Sequence, residues 1–336
     1  MASCVQNVVV RAALTASGAL VPGSPLLTSV ASMSAKEFVQ AAADGAYTTA
    51  RTAEGRTALF QAEFHASRLA DSMNALVRNH AGATPSALPA SIYVADDDAF
   101  AEDDVMDMLL ALCAAGRDAM MDGRDAGCGA ATGEEVPTRG ELKVVVCLPS
   151  AERVAHAHFS SMPPVPSPPV VVELRPQGDV AAHSVEAKST AWVHDRVVFE
   201  NAMAADANEV ICYAADGAAV EGLSSNVFVV TADGDILTAP DSAVLKGSMR
   251  ALILDLADEE GIPIVYGAPN VADAATWRGM LISSTSRCAL PVDQLWVFDD
   301  LSSSASATYT WSPLDPTLTT LQNAVNAHIA THSMPF

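Results

Sequence analysis

The chain has 336 residues, half of them apolar, with 18 Lys and Arg against 40 Asp and Glu, a formal net charge of −22. That length suggests about two domains, and the acidic balance excludes a nucleic-acid partner, which needs basic surface, and an anionic membrane face. No apolar run is long enough to span a bilayer. A cytoplasmic protein is expected, since Arg11 is the sole charge before Lys36 and a presequence is richer in arginine. The six cysteines (Cys4, Cys113, Cys128, Cys147, Cys212 and Cys288) have no paired metal spacing and read as free thiols. His156 and His158 would share a strand face, but no carboxylate or cysteine completes a metal set.

In chain order, Val8 to Val10 opens a first strand, and Gly45 to Thr52 is a second that ends in the turn Ala53-Glu54-Gly55-Arg56. Leu59 to Val77 reads as an amphipathic helix, with Leu59, Phe60, Phe64, Leu69, Met73 and Leu76 near helical spacing. Ala101 to Ala115 is a second helix, opened by Glu102-Asp103-Asp104, which suits a helix N-terminus. Gly116 to Gly140 is rich in Gly, Asp and Ala without periodicity and reads as an insertion. Glu141 to Leu148 is a strand.

The proline-rich stretch Met162 to Pro169 is the linker candidate. It divides the chain into a small domain, 1–164, and a larger one, 165–336. Val170 to Leu174 opens the second half. Asp216-Gly217 and Asp233-Gly234 then lie between apolar runs, each a hairpin signal. Ser248 is expected to cap a helix, Met249 to Glu260, that stops at Gly261. Met280 to Ser283 is a strand, and Gln322 to Ala330 a short closing helix.

Lys188 is one of only four lysines and sits among small residues in Glu186-Ala-Lys-Ser-Thr-Ala-Trp192. A lysine whose pKa is depressed by burial attacks carbonyls and then shuttles a proton. Glu221 ends a strand, where a carboxylate could keep a pyridine nitrogen protonated and make the ring an electron sink. Ser224, Ser225 and Asn226 follow it, and could orient a cofactor or satisfy turn amides. Gly247, Ser248 and Met249 open a helix, a phosphate seat of free amides. Ser283 to Arg287 offer further hydroxyls. Arg68 sits on the first helix, where a guanidinium can fork onto a phosphate or make a surface salt bridge. Each piece alone is weak.

Taken in order they resemble the class IV aminotransferases, the fold-type IV pyridoxal-phosphate enzymes. That family includes branched-chain and D-amino acid aminotransferases and 4-amino-4-deoxychorismate lyases. The resemblance runs from about Gly45 to about Val292. It covers Gly45-Ala-Tyr47 with Arg51, then His65-x-x-Arg68-Leu69-x-x-Ser72, then Lys188. Glu221-Gly-x-x-Ser225-Asn226-x-Phe228 follows, then Leu245-x-Gly247-x-x-Arg250, and Ser284-Thr285 with Pro291-Val292. Lys188 to Arg196 looks most like a divergent eukaryotic branch. Two departures stand out: Gly-Ser-Met-Arg replaces the family's common Gly-Ile-Thr-Arg, and Trp192 stands where a tyrosine often follows the lysine.

The resemblance implies an α+β, two-domain fold-type IV architecture: a small α/β domain and a larger β-barrel-like domain with helices. It implies a pyridoxal 5'-phosphate cofactor in Schiff-base linkage to Lys188, with Glu221 on the pyridine nitrogen. Arg68, the Ser248 and Met249 amides and Thr285 would hold the phosphate. Ser225, Asn226, Gly247 and Ser284 belong to the same cofactor-binding set, and Tyr47 and Arg51 line the substrate pocket. Small-molecule substrates, an amino acid and a 2-oxo acid, would react in a ping-pong aminotransferase, in a homodimer. The alternatives are a lyase of the same fold and a cofactor-binding protein without turnover.

Overall fold

The structure, a computed structural model, describes residues 7–81, 99–125, 140–180, 185–301, 304–331 and 333–336. The chain forms two compact units. One comprises Met1–Pro163, Glu186–Val193 and Ala330–Phe336; the other comprises Pro164–Val185 and His194–Ile329.

The first unit contains β1 (Asn7–Ala13), β2 (Leu27–Ala31), α1 (Ala35–Ala41), β3 (Gly45–Ala53), β4 (Ala58–Phe60), α2 (Ala62–Ala81), α3 (Glu102–Asp125), β5 (Leu142–Pro149) and β6 (Val154–Ser161). With the C-terminal strand Ser333–Pro335 they make a seven-stranded sheet, ordered C-terminal strand, β4, β3, β5, β6, β1, β2. Every neighbouring pair in it is antiparallel. Strand alternation sends Val10, Val144, Val146 and Phe159 to one face, in one core with Leu69 and Met73 of α2 and Met108 and Leu112 of α3. On the other face Val9, Tyr47, Val145 and Cys147 meet Phe38 and Val39 of α1. Helix α1 starts at a capping box in which Ser34 and Glu37 satisfy each other's backbone amides.

Two expectations change in this unit. Leu59 and Phe60 are strand, not helix: Leu59 pairs with Thr52 and Met334, both residues are fully buried, and α2 begins only at Ala62. Helix α3 continues through Gly116 to Asp125 instead of yielding to an insertion at Gly116. That glycine is a packing residue, since a Cβ there would stand 2.3 Å from Phe159 Cε2. The rest of the expected insertion, 126–139, lies outside the described residues.

The second unit is built from β7 (Val171–Pro176) and, after the short helix α4 (Ala191–Asp195), from α5 (Val197–Ala202), β8 (Glu209–Tyr213), β9 (Ala219–Gly222), β10 (Asn226–Val230), β11 (Ile236–Thr238), α6 (Ser248–Glu259), β12 (Ile264–Tyr266), β13 (Gly279–Ser284), β14 (Cys288–Val292), β15 (Gln294–Val297), β16 (Ala307–Thr310) and α7 (Pro316–Thr331). Its ten strands form one mixed sheet, ordered β12-β11-β10-β9-β8-β7-β15-β16, with β13 and β14 running on from β10. Strand β7 is parallel to both β8 and β15. The Asp216-Gly217 and Asp233-Gly234 turns connect antiparallel pairs, and both glycines have positive φ, +85° and +97°. The overall class is the α+β one expected of fold-type IV enzymes.

Helix α7 starts at Pro316, six residues ahead of the expected Gln322. Proline suits a first helical position, Asp315 Oδ1 accepts from the Thr317 amide at 2.9 Å, and Leu318, Leu321 and Val325 bury one face. The heart of the unit holds a buried ion pair. Arg175 Nε donates to Glu173 Oε2 at 2.6 Å, and the guanidinium carbon lies 3.7 Å from the centre of the Phe298 ring.

Burial pushes the thiols of Cys113, Cys147 and Cys212 up to about 12. Thiolate is the reactive form, so iodoacetamide at pH 8 is expected to leave these three unlabelled in the native protein and to label them once guanidinium unfolds it. Peptide mass mapping reads this, and prompt labelling of Cys113 in the native state contradicts the burial.

Candidate active site

Lys188 belongs by its contacts to the first unit, although the division at 164/165 puts it in the second half of the sequence. The reason is a free edge. Strand β4 pairs with β3 only at Thr52 and Ala53, which leaves the first half of β3 open on that side. The segment around Lys188 takes that edge: Ala46 bridges Ser189, the Tyr47 amide donates to Lys188 O at 2.9 Å, and the Thr190 amide donates to Gly45 O at 2.9 Å. Thr190 Oγ1 accepts in turn from the Gly45 amide at 3.1 Å. The Lys188 amide donates to Ser72 Oγ of α2 at 3.1 Å. Main-chain bonds thus fix a half-buried lysine whose Nζ lies 4.8 Å from the centre of the Tyr47 ring.

Helix α2 presents Arg68 beside this lysine segment. Its Nη2 donates to Thr48 Oγ1 at 2.9 Å, its guanidinium carbon lies 5.3 Å from the Phe64 ring centre, and burial draws its pKa down to about 10. His65, fully buried, sits 2.9 Å from Thr48 Oγ1 through Nδ1. Burial, and then the charges of Arg68 and Lys188, hold its pKa well below the ordinary histidine value. Arg51 lies on the Tyr47 face of β3, four residues on and opposite Lys143. His158, one of the His156 and His158 strand pair, is buried with Nε2 3.0 Å from Met33 O. Among the described residues no group of three or more His, Cys, Asp or Glu could hold a metal ion.

The second unit assembles the other expected residues by sheet register. Glu221 of β9 faces Asn226 of β10, which faces Ser283 of β13. Two of the three hold one loop: Glu221 Oε2 accepts from the Leu245 amide at 3.2 Å and Asn226 Nδ2 donates to Leu245 O at 3.1 Å. Gly247 follows as the N-cap of α6, and Ser248 is its first helical residue, so Ser248 does not cap as expected. Ser248 and Met249 are both buried at the helix start. Ser284 Oγ accepts from the Arg287 amide at 3.3 Å, and Thr285 lies half-buried in the same turn.

Gly247 leaves no room for a side chain, because a Cβ would stand 2.1 Å from Asn226 Oδ1. Gly247→Ala is expected to displace Asn226 from Leu245, lowering stability by about 1–3 kcal/mol. The denaturation midpoint measures it, and an unchanged midpoint contradicts the close approach.

Sequence reasoning missed Glu209 and Arg287. Glu209 Oε2 accepts from Ser224 Oγ at 2.8 Å, Ser225 Oγ at 2.9 Å and Arg287 Nη1 at 2.6 Å. Arg287 Nη2 donates to Asn208 O at 2.7 Å. The pair ties the turn after Glu221 to the turn after Ser284, and the Ser225 hydroxyl is committed to it. The available signal was a lone glutamate opening an apolar strand, Glu209-Val-Ile-Cys-Tyr213.

Within each unit the donor types suit parts of pyridoxal phosphate. The first unit supplies an amine held by its main chain and a half-buried guanidinium. The second supplies a carboxylate and a helix N-terminus whose N-cap has no side chain. In the same register row Ser283 Oγ is buried without a partner among the described residues, a hydroxyl of the kind a polar ligand satisfies.

Residues 45–295 match the family model for class IV amino-transferases. No curated protein sequence matches the chain. Among solved structures, the fold IV-transaminase CpuTA1 from Curtobacterium pusillum is 20% identical, with 97% of each chain covered and a TM-score of 0.62. The PLP-bound form of a hypothetical aminotransferase from Mycobacterium tuberculosis is 19% identical over 96% of this chain and 99% of that one, with a TM-score of 0.59. A branched-chain amino acid aminotransferase from T.th., complexed with N-(5'-phosphopyridoxyl)-L-glutamate, is 14% identical over 98% and 96%, with a TM-score of 0.60. At these identities the likeness speaks for the fold, and the family model, spanning most of the sequence, speaks for descent: the chain belongs to the class IV aminotransferase family.

Proposed function

We propose that the protein is a pyridoxal-phosphate-dependent aminotransferase that moves an amino group between an amino acid and a 2-oxo acid in two half-reactions. The single observation that supports this best is the half-buried Lys188, fixed through its own backbone with Nζ against the Tyr47 ring. Structures of similar proteins in a PLP-bound form, in an α-ketoglutarate and PMP bound form, and complexed with N-(5'-phosphopyridoxyl)-L-glutamate add support. When bound, the cofactor supplies an electrophilic aldehyde and an electron-withdrawing ring.

The residues of this chain take the following roles. Lys188 Nζ would bind the aldehyde carbon and, once displaced by substrate, would carry the proton from the substrate α-carbon to the carbon that bore the aldehyde. Glu221 holds a proton on the pyridine nitrogen. Arg68, the amides of Ser248 and Met249, and the hydroxyls of Ser284 and Thr285 hold the phosphate. Asn226, Gly247 and Ser225 keep the loops that carry these groups in place. Tyr47 and Arg51 bind substrate, with Arg51 suited to a carboxylate. The protein acts as a cytoplasmic homodimer. Among the described residues no helix is long and apolar enough to cross a membrane.

Product analysis with a panel of L- and D-amino acids and 2-oxo acids tests the reaction. Transfer of the amino group to the oxo acid in equal amounts supports the proposal. Pyruvate release from an amino-chorismate-like substrate, without transfer, replaces it with lyase chemistry.

A further inference from the structure

Helix α2 places His65, Arg68 and Ser72 at i, i+3 and i+7, one polar stripe on a helix whose other inward positions, Ala66, Leu69 and Met73, are core. The stripe faces β3 and the Lys188 segment: His65 and Arg68 both meet Thr48, and Ser72 meets the Lys188 amide. Thr48 is fully buried, as is His65. A hydroxyl has one proton to give and lone pairs to offer. Arg68 Nη2, a donor only, takes a lone pair of Thr48 Oγ1 at 2.9 Å. The one arrangement that satisfies every group at this oxygen sends its proton to His65 Nδ1, 2.9 Å away. The opposite tautomer, with a proton on Nδ1, aims a second N–H at an oxygen already approached by a cation, and Arg68 Nη2 stands only 3.5 Å from Nδ1. The ring proton therefore sits on Nε2, which has no partner among the described residues. Burial, with the charges of Arg68 and Lys188, keeps the ring neutral.

We propose that His65 is a positioning residue: its Nδ1 fixes the direction of the Thr48 hydroxyl, and that hydroxyl aims the guanidinium of Arg68. A histidine that only filled space would need no acceptor nitrogen at Thr48. The inference rests on the reading of Arg68 as a phosphate ligand and deepens it, because the aim of one arginine then depends on a residue that touches neither cofactor nor substrate.

The full-length protein, freed of cofactor and titrated separately with pyridoxal phosphate and with pyridoxal, tests it. Both bind through the same aldehyde, so the ratio of their dissociation constants isolates the phosphate. His65→Phe keeps a ring without nitrogen, Thr48→Val removes the relay at constant volume, and His65→Asn keeps an acceptor near Nδ1. His65→Phe and Thr48→Val are each expected to lower the preference for the phosphate form roughly tenfold, the size of one charge-assisted hydrogen bond. The double variant should lose no more than either single one, as expected of one chain of contacts. His65→Asn should stay within about threefold of wild type. A role in packing alone would lower stability and leave the ratio unmoved.

Arg68→Gln separates the two levels. If it abolishes the preference while Thr48→Val and His65→Phe leave it intact, the positioning role is overturned and the phosphate reading stands. If Arg68→Gln itself leaves the ratio unchanged, the phosphate reading fails and the positioning role with it. Should His65→Phe not fold, Thr48→Val and His65→Asn decide the matter. ¹⁵N shifts of the His65 ring give an independent reading, with a neutral Nε2–H tautomer expected from pH 6 to pH 8 and an Nδ1–H or charged ring contradicting the relay.

Discussion

Lys188→Ala is expected to lower amino-group transfer by at least about 10³-fold, within the range of a lost general acid–base group and without counting its loss as nucleophile. The fold should survive the change. The contacts that hold this segment on the edge of β3 are main-chain ones: the Lys188 amide to Ser72 Oγ at 3.1 Å and Lys188 O from the Tyr47 amide at 2.9 Å. Truncating the side chain leaves both in place. Lys188→Arg should be almost as inactive, because a guanidinium stays protonated and does not attack an aldehyde. Steady-state kinetics with circular dichroism checks the pair of outcomes. Retained turnover in Lys188→Ala contradicts the assignment, whereas lost turnover together with lost structure contradicts the account of what anchors the segment.

The largest stability effect is expected in the second unit, at Arg175→Leu. Glu173 and Arg175 are 0% and 3% exposed, and the pair is fully engaged. Glu173 Oε1 accepts from the Ala204 amide at 2.9 Å, and Arg175 Nη1 donates to Leu301 O at 3.0 Å. Removing the arginine strands a carboxylate with no water to solvate it, a change that typically costs about 3–5 kcal/mol. Removing both charges, as in Glu173→Leu with Arg175→Leu, should recover much of the loss, since the lone buried charge is gone. Full recovery is not expected, because the Ala204 amide and Leu301 carbonyl lose their partners. Equilibrium denaturation of the three proteins reads both effects. A single variant as stable as wild type contradicts the burial of the pair.

Local signals in the sequence carried the elements whose cause is local. Asp216-Gly217 and Asp233-Gly234 name their hairpins because glycine takes the positive φ of those turns without steric cost. Gly45-Ala-Tyr47 and Leu245-x-Gly247 mark the strand edge and the helix start that the structure confirms as elements. What was hidden depends on partners distant in sequence. Leu59 and Phe60 have helical spacing with the residues after them, yet Met334, 275 residues away from Leu59, pairs them into a sheet. Gly116 reads as a helix breaker until Phe159 is seen packed against it.

The site divides in the same way. Lys188 is conspicuous from its rarity among small residues, but its place in the first unit follows from an edge of β3 that β4 is too short to cover. Thr48 drew no notice as one threonine among several in a strand, and its importance appears only where Arg68 and His65 converge on it. Glu209 and Arg287 lie 78 residues apart, and neither residue type predicts that they would meet. Resemblance to a family supplied roles for Arg68, Glu221 and Thr285. It could not supply the buried contacts that hold them.

The most direct test of the central claim is the visible absorption spectrum of the purified protein, before and after borohydride, followed by peptide mass mapping. The account predicts a yellow band that bleaches on reduction and a pyridoxyl mass on the peptide that contains Lys188. A protein that stays colourless after addition of pyridoxal phosphate, or a label on Lys36, Lys143 or Lys246 instead, would contradict it.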